Sequence, residues 1–135
     1  MIGSIRSILV VDDEDRDLQV ISDLLHEAGY NVCKATSYSD AVQCMANLTY
    51  VPDLLVTDIA LPQVNGVELY RRISVMCGVY LNVLFISAYS GAEILKRYGI
   101  PLSDIHFLAK PFSAEALLSR VQSLLETPVP LRLAS

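Results

Sequence analysis

Pro52-Asp53-Leu54-Leu55-Val56-Thr57-Asp58-Ile59-Ala60-Leu61-Pro62-Gln63-Val64-Asn65-Gly66 is the stretch on which the fold turns. Leu54, Leu55 and Val56 are apolar without polar alternation, the pattern of a strand covered on both faces. The run ends on Thr57-Asp58, and Pro62 with Asn65-Gly66 mark a loop after it. A carboxylate placed where a buried strand emerges lies at the rim where open α/β sheets bind ligands. The plainer alternative is an aspartate that ends its strand or caps the next element, and the rest of the chain bears on that choice.

Outward from this stretch the pattern repeats. The segment from Ile5 to Val11 ends in Ile8-Leu9-Val10-Val11 and stops at Asp12-Asp13-Glu14-Asp15. Leu18, Ile21, Leu24, Leu25 and Ala28 then share one helix face. Asp15 and Asp17 suit that helix's N-terminal dipole, and Gly29 is its stop. Asn31 to Ala35 reads as a short strand, and Ser37 with Asp40 caps a helix that turns Ala41, Val42, Met45 and Leu48 inward.

Past Gly66, Val67 to about Met76 predicts a third helix, broken by Gly78. Val83-Leu84-Phe85-Ile86 is another uninterrupted strand, leading into Ser87-Ala88-Tyr89-Ser90-Gly91. Ala92 to Tyr98 predicts a short helix closed by Gly99 and Pro101. Ile105 to Ala109 is the last strand, followed by Lys110-Pro111-Phe112. Ser113 caps a final helix that buries Ala116, Leu117, Val121, Leu124 and Leu125, and Pro128 and Pro130 stop it. Five alternations of apolar strand and amphipathic helix predict an α/β fold, a doubly wound five-stranded parallel sheet with five helices distributed over both faces. No internal repeat or low-complexity segment interrupts it.

The size, 135 residues, suits one domain with a real core. Hydrophobic residues at 53% against 19% charged exclude disorder, and no apolar run approaches the ~20 residues of a membrane span. The start, Met1-Ile2-Gly3-Ser4-Ile5-Arg6, carries no leader-cleavage pattern, so the expected location is cytoplasmic. A net charge of −5 argues against nucleic acid or an acidic membrane surface as a general partner. Cys33, Cys44 and Cys77 are odd in number and widely spaced, and read as buried free thiols rather than a disulfide framework or zinc site. His26 and His106 lack metal-ligand spacing, so packing or surface roles are expected.

The strand ends carry the chemistry. In a parallel sheet every carboxyl end faces the same way, so Asp12-Asp13, Asp58, Ser87 and Lys110 share one rim. The second strand ends in Ala35-Thr36 and adds nothing comparable, which fits an edge position. Two like charges about 4 Å apart repel by roughly 4 kcal/mol at an effective dielectric near 20. Three carboxylates there need a cation or must stay partly protonated; Lys110 offsets one charge, and the remainder suits a hard divalent ion such as Mg²⁺ or Mn²⁺. A carboxylate can itself be a nucleophile toward phosphorus, with a lysine and a hydroxyl serving the phosphoryl oxygens.

With those residues in place, the chain resembles a known family. Ile8-Leu9-Val10-Val11-Asp12-Asp13-Glu14, Asp58 followed by Leu61-Pro62 and Asn65-Gly66, Ser87-Ala88, and Lys110-Pro111-Phe112 look like the receiver domain of two-component response regulators. The likeness runs over about residues 5 to 126. It implies a flavodoxin-like sheet of order 2-1-3-4-5, with a receiver over residues 1–127 and a tail or truncated linker over 128–135.

By position, the resemblance makes Asp58 the phosphoacceptor and Asp13 a direct Mg²⁺ ligand. Asp12 would act through water, and the Ala60 backbone carbonyl would complete the protein's share. Ser87 would hydrogen-bond the phosphoryl group, Lys110 would pair with it, and Phe107 would be the switch aromatic. A cis Lys110-Pro111 bond is implied too. Ser87 stands where Thr is more frequent and Phe107 where Tyr is commoner. Ala60 and Tyr89, two residues beyond Asp58 and Ser87, would overlook the phosphoryl group and gate water.

The implied function is a phospho-accepting switch in a phosphorelay. A phosphohistidine of a sensor histidine kinase or phosphotransfer protein would donate to Asp58. The change would be read on the face of the last two strands and helices, by a downstream protein or a fused output domain. Catalysis would extend only to the domain's own phosphorylation and dephosphorylation. Direct nucleic-acid binding and membrane contact are not expected, and a homodimer is compatible. The layout looks more like receivers of hybrid kinases than like those of DNA-binding regulators. Two alternatives are a pseudo-receiver used only for protein contacts and an Asp-nucleophile phosphatase of haloacid-dehalogenase type. Asp13-Glu14-Asp15 spells the latter's D-x-D, but no later acidic pair follows the fourth strand.

Overall fold

The computed structural model describes residues 5–48, 51–128 and 131. Strands and helices alternate as β1 (Ser7–Val11), α1 (Asp15–Glu27), β2 (Asn31–Ala35), α2 (Tyr38–Ala46), β3 (Leu54–Asp58), α3 (Gly66–Cys77), β4 (Val83–Ser87), α4 (Gly91–Tyr98), β5 (Phe107–Ala109) and α5 (Ala114–Glu126). The sheet is parallel throughout, in the order β2-β1-β3-β4-β5. β2 is an edge, as its bare carboxyl end suggests.

Strand side chains alternate between two cores, the period of two that a pleated strand imposes. Ile8, Val10, Leu54, Val56, Leu84 and Ile86 pack against Leu18, Ile21 and Leu25 of α1 and Leu117, Val121, Leu124 and Leu125 of α5. Leu9, Val11, Leu55, Val83 and Phe85 face the other way, onto Ala41 of α2, Leu69, Tyr70 and Ile73 of α3, and Ile94 of α4. Every residue of β1, β3 and β4 is buried, so these strands have no polar face. Each large aliphatic side chain so buried contributes about 1.5–3 kcal/mol relative to exposure.

The helix starts follow local chemistry. Ser37, Asn65, Ser90 and Ser113 accept N–H groups of the first turns of α2, α3, α4 and α5. Ser90 and Glu93 form a reciprocal capping box, which fixes the start of the short α4. Gly78 and Gly99 end α3 and α4 in the left-handed conformation.

Several expectations need correction. β5 begins at Phe107 rather than Ile105, because a 3₁₀ turn over Leu102–Asp104 uses the preceding chain and buries Ile105 below it. In α1, Ala28 is an exposed C-cap, and Ser22 is buried instead. In α2 only Ala41 is fully buried, since the helix lies over the sheet's edge. Cys33 of β2 and Cys44 of α2 are not free thiols: they form a disulfide, with Cα atoms 6.6 Å apart. Spacing along the chain could not show that α2 folds back over β2. Cys77 is free and partly exposed. The leader reading at Met1 to Ser4, and most of the tail reading over 128–135, fall outside the described residues. Among the described residues, no helix is long and apolar enough to cross a membrane.

Candidate functional site

The carboxyl ends of β1 and β3 lie side by side, with Val11 paired to Thr57, so Asp12 and Asp58 leave the sheet as neighbours. Ser87 ends β4 one position past the partner of Asp58, and Ala109 pairs with Ser87 and delivers Lys110. The Lys110 N–H donates to the Ser87 carbonyl at 2.8 Å, and the Lys110–Pro111 bond is cis.

Lys110 is the hub. Its Nζ lies 2.8 Å from Asp12 Oδ2, 2.9 Å from Asp58 Oδ2 and 2.8 Å from Asp17 Oδ2. Asp12 is completely buried, while the side chains of Asp58 and Lys110 are 9% and 13% exposed. The remaining oxygens are held by local backbone: Asp12 Oδ1 accepts the Glu14 N–H at 3.0 Å, and Asp58 Oδ1 accepts the Ala60 N–H at 2.9 Å. Asp13 projects into solvent, yet carboxylate oxygens of Asp12, Asp13 and Asp58 lie within 4.8 Å of one another.

The charges do not balance. Burial holds the Asp12 carboxyl above the usual carboxylate range; Lys110 and the Glu14 N–H pull it down, and the Asp58 charge adds to the rise. Burial alone would lower the Lys110 ammonium, but hydrogen bonds to Asp12, Asp17 and Asp58 win and raise it well above an ordinary lysine. Asp12, Asp13 and Asp58 against one ammonium leave a surplus of negative charge on oxygen donors. That donor set fits a hard divalent cation with a few carboxylates and waters.

Ser87 is buried, and its Oγ accepts the Tyr89 N–H at 3.0 Å, which turns the hydroxyl onto its own loop. Tyr89 is stacked by Arg97 of α4, whose guanidinium carbon is 4.5 Å from the ring centroid. Phe107 sits two residues before Ala109, half-buried against the core, with its carbonyl held by Arg120 at 2.9 Å. The structure thus brings Asp12, Asp13, Asp58 and Lys110 together, places Ser87 on the adjoining strand end, and sets Phe107 behind the rim.

Two residues of this site were not singled out from the sequence. Asp17 read as a helix-start charge, but α1 begins right after β1 and its first turn overhangs the rim. Gly66 read as a loop marker, but it is a point of close approach. A Cβ there would collide with the Asp58 carbonyl oxygen, while the Gly66 N–H closes the loop on Ile59 O at 2.9 Å. A cleft of about 340 Å³ beside Lys110 is lined by Asp17, Val20, Ala88, Pro111 and Phe112. A more apolar groove, about 370 Å³, lies at the far end of α3, away from these charges.

Comparison with known proteins agrees with this geometry. The model of the response regulator receiver domain matches residues 8–122. The transcriptional regulatory protein TrcR of Mycobacterium tuberculosis is 35% identical over 125 residues, covering 91% of this chain and 46% of that protein. The chain spans about half the length of the curated relatives it matches. A response regulator receiver protein from Sinorhizobium medicae superposes with a TM-score of 0.74 at 27% identity, over 92% of this chain and 97% of that one. The receiver domain of the hybrid histidine kinase CckA superposes with a TM-score of 0.67 at 29% identity, over 88% and 98% of the two chains. Matches thus include both a transcriptional regulator and a hybrid-kinase receiver.

Proposed function

We propose a function on one premise: this chain belongs to the response regulator receiver domain family. On that premise the protein is a phospho-accepting signalling switch with Asp58 as acceptor. The observation that carries the reading is the convergence of Asp12 and Asp58 within 2.9 Å of the Lys110 ammonium, beside an exposed Asp13.

An Asp58 carboxylate oxygen attacks phosphorus, and an O–P bond forms as the P–N bond to a donor phosphohistidine breaks. The electron pair of the broken bond stays on the imidazole nitrogen. Water later attacks the same phosphorus, releasing phosphate and restoring the carboxylate. Lys110 supplies positive charge to a phosphoryl oxygen, and the buried Ser87 hydroxyl is one loop rearrangement from donating to another. Asp12, Asp13, Asp58 and the Ala60 carbonyl would hold Mg²⁺ or Mn²⁺, which neutralises charge on the transferring group.

The added charge draws Ser87 and Phe107 inward and shifts the face built by α4, β5 and α5 between two states. The donor is a sensor histidine kinase or phosphotransfer protein. The output is a separate protein or a fused domain; the transcriptional regulatory relatives are about twice as long as the part this chain matches. The switch occupies residues 1–127, with 128–135 as tail or linker.

Incubation with acetyl phosphate and Mg²⁺, followed by intact mass, tests the reading. A lasting phosphoryl adduct that disappears in Asp58→Asn supports it. Rapid multiple turnover without an adduct points to a phosphatase, and neither adduct nor turnover points to a protein-contact module.

A further inference from the structure

We infer that Asp17 is a positioning residue: it holds Lys110 in a parked position and is the partner that Lys110 gives up when the acceptor is phosphorylated. The inference rests on the phosphoacceptor reading of Asp58.

An ammonium group has three donors. In this structure Asp12, Asp17 and Asp58 take all of them, at 2.8, 2.8 and 2.9 Å. A phosphoryl oxygen can gain a hydrogen bond from Lys110 only if one of these contacts breaks. The three carboxylates are unequally able to lose it. Asp12 is wholly buried, so releasing it strands a charge without water. Asp58 carries the incoming group itself. Asp17 is 40% exposed, on the first turn of α1, and water can replace the ammonium there. Asp17 also lines the cleft beside Lys110, Pro111 and Phe112, so the released carboxylate has open solvent in front of it.

In the resting protein Asp17 therefore competes with the phosphoryl group for one side chain. Removing it leaves Lys110 bound to Asp12 and Asp58, with one donor free to meet the donor phosphate. Asp15 lies two residues away on the same turn and is exposed, and the three carboxylates on Lys110 do not include it. It supplies a control of equal charge change.

The test compares wild type, Asp17→Asn, Asp17→Leu, Asp17→Glu and Asp15→Asn at saturating acetyl phosphate with Mg²⁺, at low salt and at high salt. Asp17→Leu, which removes the acceptor atoms, should phosphorylate about tenfold faster, with Asp17→Asn between it and wild type. Asp17→Glu should return toward the wild-type rate. The gain in Asp17→Leu should exceed any change in Asp15→Asn at both salt concentrations, because only Asp17 touches Lys110, and it should shrink at high salt because Asp17 is 40% exposed.

A second measurement needs neither metal nor donor. The Lys110 ammonium protons, followed by heteronuclear NMR, should exchange slowly in wild type and faster in Asp17→Leu, while backbone signals of the sheet stay put. Equal rates for Asp17→Leu and Asp15→Asn, a slower Asp17→Leu, or unchanged ammonium exchange would overturn the inference while leaving the acceptor reading intact. A wild-type protein that takes no phosphoryl group overturns both.

Discussion

Asp53, where the chain enters β3, and Asp58, where it leaves, are the same residue type at two ends of one strand, and each lies beside a cation. At the entry, Asp53 Oδ1 is 3.9 Å from Arg6, and Asp53 Oδ2 accepts the Ser7 N–H at 2.8 Å. Those two side chains are 36% and 50% exposed, so water and salt do much of the work of any partner. At the exit, Asp58 meets Lys110 at 2.9 Å, with hardly any water on either side chain. One end of the strand is fastened by a backbone hydrogen bond and a screened ion pair. The other holds unmatched charge that only a ligand can balance. Burial, rather than residue type, sets the difference between a screened tie and a site of uncompensated charge.

The sharpest way to break the contrast is to remove each cation. Lys110→Ala leaves Asp12 and Asp58 without their shared partner, and urea unfolding at pH 7 should show a loss of about 3–5 kcal/mol. A loss below about 1 kcal/mol, the level of an exposed pair, would mean that water already compensates the rim.

Gly66→Ala tests the exit end through its backbone. The new methyl meets the Asp58 carbonyl, and the expected loss is about 2–3 kcal/mol. If Asp58 is the acceptor as proposed, phosphorylation should slow as well, because its own peptide must shift.

Asp12→Asn sharpens the electrostatic side. Burial raises the Asp12 carboxyl in the folded state, so its favourable contribution is complete below the unfolded value near 3.9 and is lost as pH rises through the folded value. The variant should therefore be more stable than wild type at pH 7, with the advantage fading toward pH 4. Lys110 does not blur this window. Its raised value keeps its contribution intact until pH passes the ordinary lysine range, near 10.4. A stability difference that stays constant from pH 4 to 7 would remove Asp12 as the cause.

The smallest effect belongs to the entry end. Arg6→Ala should cost about 0–1 kcal/mol and nothing measurable in high salt, since the Ser7 bond to Asp53 survives.

Much of this was legible in the sequence because burial on both faces leaves a plain signature. Leu54-Leu55-Val56 and Val83-Leu84-Phe85-Ile86 have no polar alternation, which forces a sheet covered by helices on each side. Parallel strands then place Asp12, Asp58, Ser87 and Lys110 at one rim without further information. The unread parts depend on how a helix sits over a strand. Asp17 becomes a partner of Lys110 only because α1 starts directly beyond the Asp12-Asp13-Glu14 turn and leans over the end of β1. Cys33 meets Cys44 only because α2 crosses the edge strand. Gly66 looks like any turn glycine until the Asp58 carbonyl is seen pressed against it. Phe107 lies in β5, as the strand pattern places it.

The covalent tie between Cys33 and Cys44 makes the two margins of the sheet unequal. β2 cannot peel away without dragging α2, whereas β5 is three residues long and, among the described residues, has no such staple. Fraying of the sheet is therefore directed to the β5 side, and amide exchange should be fastest there. That loose hem leads straight into Lys110, so the margin with the least resistance to opening is also the one attached to the charged end of the sheet.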